Sequence, residues 1–223
     1  MSKHLSLLII VFLITGSIKL EAQNIRLIAP AGYNIIYKEP NFAKGTEGTP
    51  YLNLDWEPAD ILLKNGKTIQ DLMIRYNVLE NKMLYQDKGK TYVVGTPDSI
   101  AEIKFLNKIF LYIPFEKNHT TENGFFEIVS KGKVNLLRKY EIEVLRANYS
   151  MQFDTGFKND RLSLNQELYL QKDDHAAVAN RKNKLLEILS DKKNEVTHFI
   201  NQEKLSVKDQ EDLFKILSYY NQL

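Results

Sequence analysis

The sequence predicts an α+β fold: a strongly twisted antiparallel sheet, or partial barrel, with two or three C-terminal helices packed on it. Three observations predict it. The stretch from Leu52 to Val144 is rich in Ile, Leu, Val, Phe and Tyr, and short turn signals cut it into pieces of strand length. Beyond Ala176 the apolar period changes from two to the helical one. Runs of strands followed by a run of helices point to this fold class. The 223 residues, 43% hydrophobic and 26% charged, suit a globular chain of one ordinary or two small domains. The expected organisation is an export signal over 1–22, an extended lead-in over 23–50, an antiparallel β region over 51–175 and a helical region over 176–223.

The first segment reads as a secretory signal. Lys3 and His4 supply a basic start, Leu5 to Ile14 is apolar but for Ser6, and Ala22 offers a small residue for cleavage before Gln23. The run is shorter than the roughly 20 residues a membrane-spanning helix needs, and no second apolar run reaches that length. The expected product is a soluble protein, with no transmembrane anchor after cleavage, in a periplasm or outside the cell.

In the lead-in, Ile25–Ile28 and Ile35–Tyr37 are short apolar pieces broken by Pro30, Gly32 and Pro40, which suits edge strands or an arm. Gly45, Gly48 and Pro50 mark a loop. Tyr51–Trp56 then alternates, with Leu52, Leu54 and Trp56 on one face. Ile61 and Leu63 lead into Asn65-Gly66, a hairpin signal suited to a type I′ turn. The return strand, Lys67 to Asn77, puts Leu72, Ile74 and Tyr76 on one face and Met73, Arg75 and Asn77 on the other. Glu80-Asn81 makes the next turn. Lys82–Gln86 pairs with Thr91–Val94.

Ile100–Phe105 and Ile109–Phe115 form the following pair. The second is apolar on both faces, as in a central strand covered on both sides. Lys117–Asn123 reads as a polar loop. Phe125–Ser130 and Val134–Val144 flank Lys131-Gly132-Lys133. From Arg146 to Asp174 the pattern weakens, with Leu168-Tyr169-Leu170 as one more short strand. Arg181–Ser190 and Asp191–Leu205 carry apolar residues at helical spacing. Ser206 with Asp209 reads as a capping start for a last helix, striped by Leu213, Phe214, Leu217 and Tyr220. Such short amphipathic helices must dock to be stable, and the sheet is the partner.

Composition excludes several kinds of chemistry. The chain has no cysteine, so disulfides, thiolate metal sites and cysteine nucleophiles are ruled out. The formal charge of +2 gives no long-range field to draw in nucleic acid. Lys131, Lys133, Arg138 and Lys139 cluster near Phe125 and Phe126, but lysines at a hairpin end more often blunt an edge. No G-x-S-x-G elbow, P-loop or H-E-x-x-H pattern occurs. Asp173-Asp174-His175 reads as a solvated loop rather than a metal site, and His198 as a helix-surface residue. Asp55 and Glu57 flank Trp56, as acids do in some sugar clefts, yet alternation turns Trp56 to the core and both acids to water. Asn118-His119-Thr120 and Asn148-Tyr149-Ser150 are sequons, relevant only to a eukaryotic route.

Several runs carry a wider resemblance: Gly48-Thr49-Pro50-Tyr51-Leu52-Asn53, Asn65-Gly66-Lys67, Arg75-Tyr76-Asn77, Gly124-Phe125-Phe126-Glu127 ahead of Lys131-Gly132-Lys133, Glu211-Asp212-Leu213 and Tyr219-Tyr220-Asn221. Together they resemble a family of exported proteins of the Bacteroidota with no assigned activity. The resemblance spans nearly all of the chain after the signal. It implies a Gram-negative periplasmic or secreted setting and transfers no catalytic residue.

The functional expectation is a non-catalytic envelope protein that binds a protein partner or supports an assembly, with no cofactor and no metal. An apolar-ligand carrier is the alternative, its pocket lined by Phe105, Ile109, Leu111 and Ile113. Arg75 is the candidate for a ligand carboxylate or, more simply, for an internal ion pair bracing the sheet. A hydrolase working through the acids beside Trp56 ranks third.

Overall fold

The computed structural model describes Ile28 and residues 35–117, 120–173, 175–178 and 181–223. The expected signal segment, the Ile25–Ile28 piece apart from Ile28, His119 and Asp174 lie outside them. Ten strands form one sheet: β1 (Glu57–Leu63), β2 (Thr68–Asn77), β3 (Lys82–Asp87), β4 (Lys90–Val93), β5 (Ile100–Phe105), β6 (Lys108–Lys117), β7 (Thr120–Ser130), β8 (Asn135–Leu145), β9 (Arg161–Lys172) and β10 (His175–Val178). Three helices follow: α1 (Lys182–Ile188), α2 (Lys193–Gln202) and α3 (Gln210–Gln222). The strand order is β10-β9-β8-β7-β6-β5-β1-β2-β3-β4. The last five strands close on themselves, because β10 also meets β6 in parallel at Ala176 and Phe115. The fold is α+β with a partial barrel, and its closure is mixed rather than purely antiparallel.

Strand alternation divides the apolar residues of β6 and β7 between two cores. On β6, Leu111, Ile113 and Phe115 point into the barrel, while Phe110 and Tyr112 pack on the other side against β1, β2, β3 and β5. Inside the barrel Phe115, Phe126 and Tyr169 meet edge-on in a mutual triad, with ring centroids 5.0–5.9 Å apart. Three bulges bend the sheet, near Asp60 against β2, near Leu62 against β5 and near Val129 against β8. At the first, Asp71 takes a φ of +54° and its N–H donates to Asp60 Oδ1 at 3.3 Å. The extra residue puts Ile69 on the same buried side as Leu72.

Several expectations change. Tyr51–Trp56 forms no strand: Tyr51 makes a single bridge to Asn77, the chain bends through 52–55 and Leu54 is exposed. The Arg75 side chain draws this segment across the sheet, as described below. Asn65-Gly66 does turn a hairpin, but only Gly66 has positive φ and its N–H donates to Leu63 O. That is a type I turn closed by a glycine, not type I′. Of the expected loop Lys117–Asn123, Lys117 and residues 120–123 are strand, since β6 and β7 stay paired out to Lys117 and Thr120; a backbone ladder tolerates polar side chains where both faces meet water. The short strand around Tyr169 is a twelve-residue one, and the boundary placed at 176 falls inside β10. Asp209, not Ser206, caps α3, accepting from Asp212 N at 3.0 Å.

The helices cover the outer side of β8 and β9. Leu185, Leu189, Val196, Ile200, Leu213 and Ile216 are buried against Leu136 and Leu170. The Asn221 amide pairs with both backbone groups of Val134 at 3.0 and 3.2 Å, and Lys172 and Tyr220 converge on Asp191. No described helix is long and apolar enough to cross a membrane.

Candidate functional site

The residues expected to line one apolar pocket do not converge. Phe105 belongs to the first core, whereas Leu111 and Ile113 belong to the barrel interior on the opposite face of the sheet. Ile109 is half-buried on β6. The barrel interior that Leu111 and Ile113 face also holds the aromatic triad. Periodicity placed these four residues on neighbouring strands, but alternation sends them to different sides.

Arg75 sits in a separate cluster. Its guanidinium lies 3.7 Å from the Tyr51 ring centroid and 4.7 Å from that of Trp56, and pairs with Glu39 at 2.8 Å. It also donates to Leu54 O at 3.3 Å. The carboxylate it meets is therefore the protein's own. Asp55 is exposed and Glu57 half-buried on either side of Trp56, whose ring stacks on the arginine and packs, half-buried, against the small cluster of Tyr37, Tyr51 and Leu84. Beside this cluster Asn77 is fully buried and donates to Tyr37 Oη at 2.6 Å.

The buried charges brace the sheet. Glu127, on the outer face of β7, accepts from Lys108 at 2.7 Å, from Arg138 at 3.1 Å and from the Tyr140 hydroxyl. Burial pushes its carboxyl upward, but hydrogen bonds from Lys108 and Tyr140 and the Arg138 charge outweigh that, so the group is held below its ordinary value. Lys139 faces the other way, into the barrel, and donates to Glu141 at 2.6 Å; Lys117 reaches the same carboxylate at 3.0 Å. The basic run around Lys131 is thus dispersed. Lys131 pairs with Glu102, and Arg138 and Lys139 occupy opposite faces.

Among the described residues, the connection between β8 and β9 carries the most exposed large apolar side chain, Met151. These strands pair continuously from Asn135 and Gln171 to Leu145 and Arg161, so the hairpin projects well past the barrel. Its fifteen-residue end is held by its own hydrogen bonds. Ser150 and Thr155 exchange backbone bonds, and the N–H groups of Asn148 and Tyr149 both donate to Phe157 O. The Asn148 side chain accepts from Phe157 N, and the Tyr149 hydroxyl donates to Asp154 at 2.6 Å. Gly156 has a φ of +92°, and a Cβ there would lie 2.6 Å from Asn148 O. Asp160 anchors the base by accepting from Arg146 and Ala147 N. This scaffold presents Met151 at 86% and Phe153 at 70% exposure.

Met151 and Phe153 fall in the stretch from Arg146 to Asp174 where the sequence pattern weakens, and that pattern does not reveal their exposure. An available signal was the sequence between them and Phe157, in which Asp154-Thr155-Gly156 is turn chemistry. Among the described residues, no group of three or more His, Asp or Glu side chains is placed to hold a metal ion. No family model, curated protein or solved structure matches the chain.

Proposed function

We propose that this chain is a non-catalytic exported protein that binds a protein partner in a bacterial envelope through the end of the β8–β9 hairpin. One observation carries the reading: an internally hydrogen-bonded loop holds Met151 and Phe153 almost fully in water. Burying both side chains in a partner contributes about 3–6 kcal/mol before the costs of association. A convex apolar projection suits a concave pocket on a protein. The buried ionisable groups are paired in ways that stiffen the sheet, which favours a scaffold over a reaction centre. The aromatic filling of the barrel weighs against the apolar-ligand carrier. The resemblance to exported Bacteroidota proteins supplies the setting, a periplasm or the cell exterior.

The test is site-specific photo-crosslinking in the native envelope, with the crosslinker at Phe153 and, as a control, at exposed Lys88. The reading expects one protein adduct from position 153 alone. Excess unlabelled protein should compete it away, and the same protein carrying Met151→Ser and Phe153→Ser should not. Lipid adducts, or identical patterns from both positions, would refute it.

A further inference from the structure

A second surface, away from the hairpin end, has the chemistry of a peptide groove. Two adjoining hollows, of about 510 and 620 Å³, lie where β8 and β9 meet the connections into α1 and α3, and they share Arg181, Val207 and Lys208. Leu168, Leu205, Val207 and Leu213 give the floor apolar character. Five cations stand around it, Arg138, Arg181, Lys182, Lys204 and Lys208, against the single carboxylate of Glu167. In a chain whose formal charge is only +2, that is a local concentration of one sign. Among the described residues Arg181, Lys204 and Lys208 make no ion pair, whereas Arg138 is held by Glu127 and Gln210 and Lys182 by Asn201.

Two further features define the occupant. First, Lys204 follows α2 with a φ of +55°, the left-handed conformation that glycine adopts without strain. The N–H of Leu205 closes the helix end on Ile200 O at 3.0 Å. A cation stands at a position where glycine would relieve the backbone. Second, β9 has an open edge. β10 covers it only from Tyr169 to Lys172, and Glu47 only at Arg161, so among the described residues Ser163–Leu168 pairs on the β8 side alone. An exposed edge offers main-chain hydrogen bonds to an extended chain.

We infer that this groove binds an extended acidic segment of another protein, which adds to the free edge of β9 and sets its carboxylates among Arg181, Lys204 and Lys208. Main-chain pairing favours a peptide over a fatty-acid chain, because a lipid tail gains nothing from an open strand edge. Alternate side chains of such a segment point to opposite faces of the sheet, so its acidic set lies on the outer face among the cationic rim while the other set turns away from the groove.

The experiment uses the full protein as exported and a fluorescent decapeptide alternating Glu and Val, with an alternating Lys and Val peptide as control. Fluorescence anisotropy should show binding of the acidic peptide only, weakening at least tenfold between 50 and 300 mM salt. Lys204→Gly should weaken it several-fold while the melting temperature stays equal to or above that of the unaltered protein, which separates lost charge from lost structure. Adding Arg181→Gln and Lys208→Gln should bring the loss to at least tenfold. Amide shifts in ¹⁵N spectra should concentrate on 163–168 and 204–210. Equal binding of both peptides, no binding, affinity indifferent to the three substitutions, shifts elsewhere on the surface, or displacement of the peptide by stoichiometric oleate would each overturn the inference.

Discussion

The closed barrel of β6–β10 and the open leaf of β1–β5 hide the same kind of apolar sheet face by different means. The barrel needs only its own strands. Four residues of β10 bring the sheet round to β6, remove an edge, and enclose an interior that three aromatic rings occupy. The leaf has no such closure. Its outer strand β4 is flanked by Ile35–Tyr37, where Tyr37 N donates to Thr91 O at 2.8 Å and Val93 N to Ile35 O at 3.1 Å. Its core is completed by residues that the barrel turns outward, Phe110, Phe125 and Tyr140. The lesson is that β6 and β7 serve two cores at once. A strand apolar on both faces is what lets a partial barrel and an open leaf share one sheet.

The largest test of that coupling removes one ring from each core. Phe126→Ala empties the barrel side and Phe110→Ala the leaf side, and each should cost about 3–5 kcal/mol. If the two cores form one cooperative unit, both variants will show a single urea transition with an unchanged slope and a lower midpoint. Separate transitions in either variant would break the comparison into two independently folding halves.

Glu127 tests the seam, where Lys108 of β6, Arg138 and Tyr140 of β8 meet on one carboxylate. Glu127→Gln should cost about 2–3 kcal/mol at neutral pH, below the range for stripping a fully buried pair because Lys108 regains water. The pH dependence has a definite sign. The native carboxyl is held below its ordinary value of 4.5, so its contribution is complete above that pH and disappears as pH falls through the lowered native value. Stability curves of the two proteins should therefore converge in acid, separate as pH rises from the lowered native value to 4.5, and keep a constant gap above it. A gap that is the same at every pH would remove Glu127 from the seam.

Asn81 sharpens the picture at the point where leaf and barrel lock. β7 pairs with β8 only from Phe126 onward, and the Asn81 side chain from the β2–β3 turn takes the vacated positions. It donates to Asn123 O at 2.9 Å and accepts from Phe125 N at 3.3 Å and Tyr76 Oη at 3.2 Å. Its φ of +52° is one that glycine tolerates. Asn81→Gly therefore keeps the turn and loses the clamp, at about 1–2 kcal/mol. Hydrogen exchange should accelerate at Phe125 but not at Glu127; equal protection in both proteins would leave the clamp without a role. The smallest effect is at the helical end. Asp209→Ala removes the α3 cap for about 1 kcal/mol and should lower the thermal midpoint without altering exchange in either sheet region.

Much of this architecture was legible in residue order. The Asn65-Gly66 and Lys131-Gly132-Lys133 turns, the two-faced β6 and the helical stripe of α3 are local patterns, fixed by periodicity and by which residues accept a turn. The candidate site was not legible. Met151 and Phe153 lie where the apolar pattern weakens, and nothing local says that an apolar side chain is left in water. The cationic groove draws on Arg138, on Arg181 and on the Lys204–Lys208 turn, three separate parts of the sequence.

The amino-acid order by itself determined most of where the chain extends between Glu57 and Leu145, where its hairpins turn and where its last helices coil, because those choices depend on neighbours one to four residues away. Only the tertiary structure decided that β10 closes onto β6, that Glu39 rather than a ligand meets Arg75, and that Tyr51–Trp56 bends away from the ladder. Each of those outcomes sets backbone or side-chain partners many residues apart against one another, and only a folded chain brings them within reach.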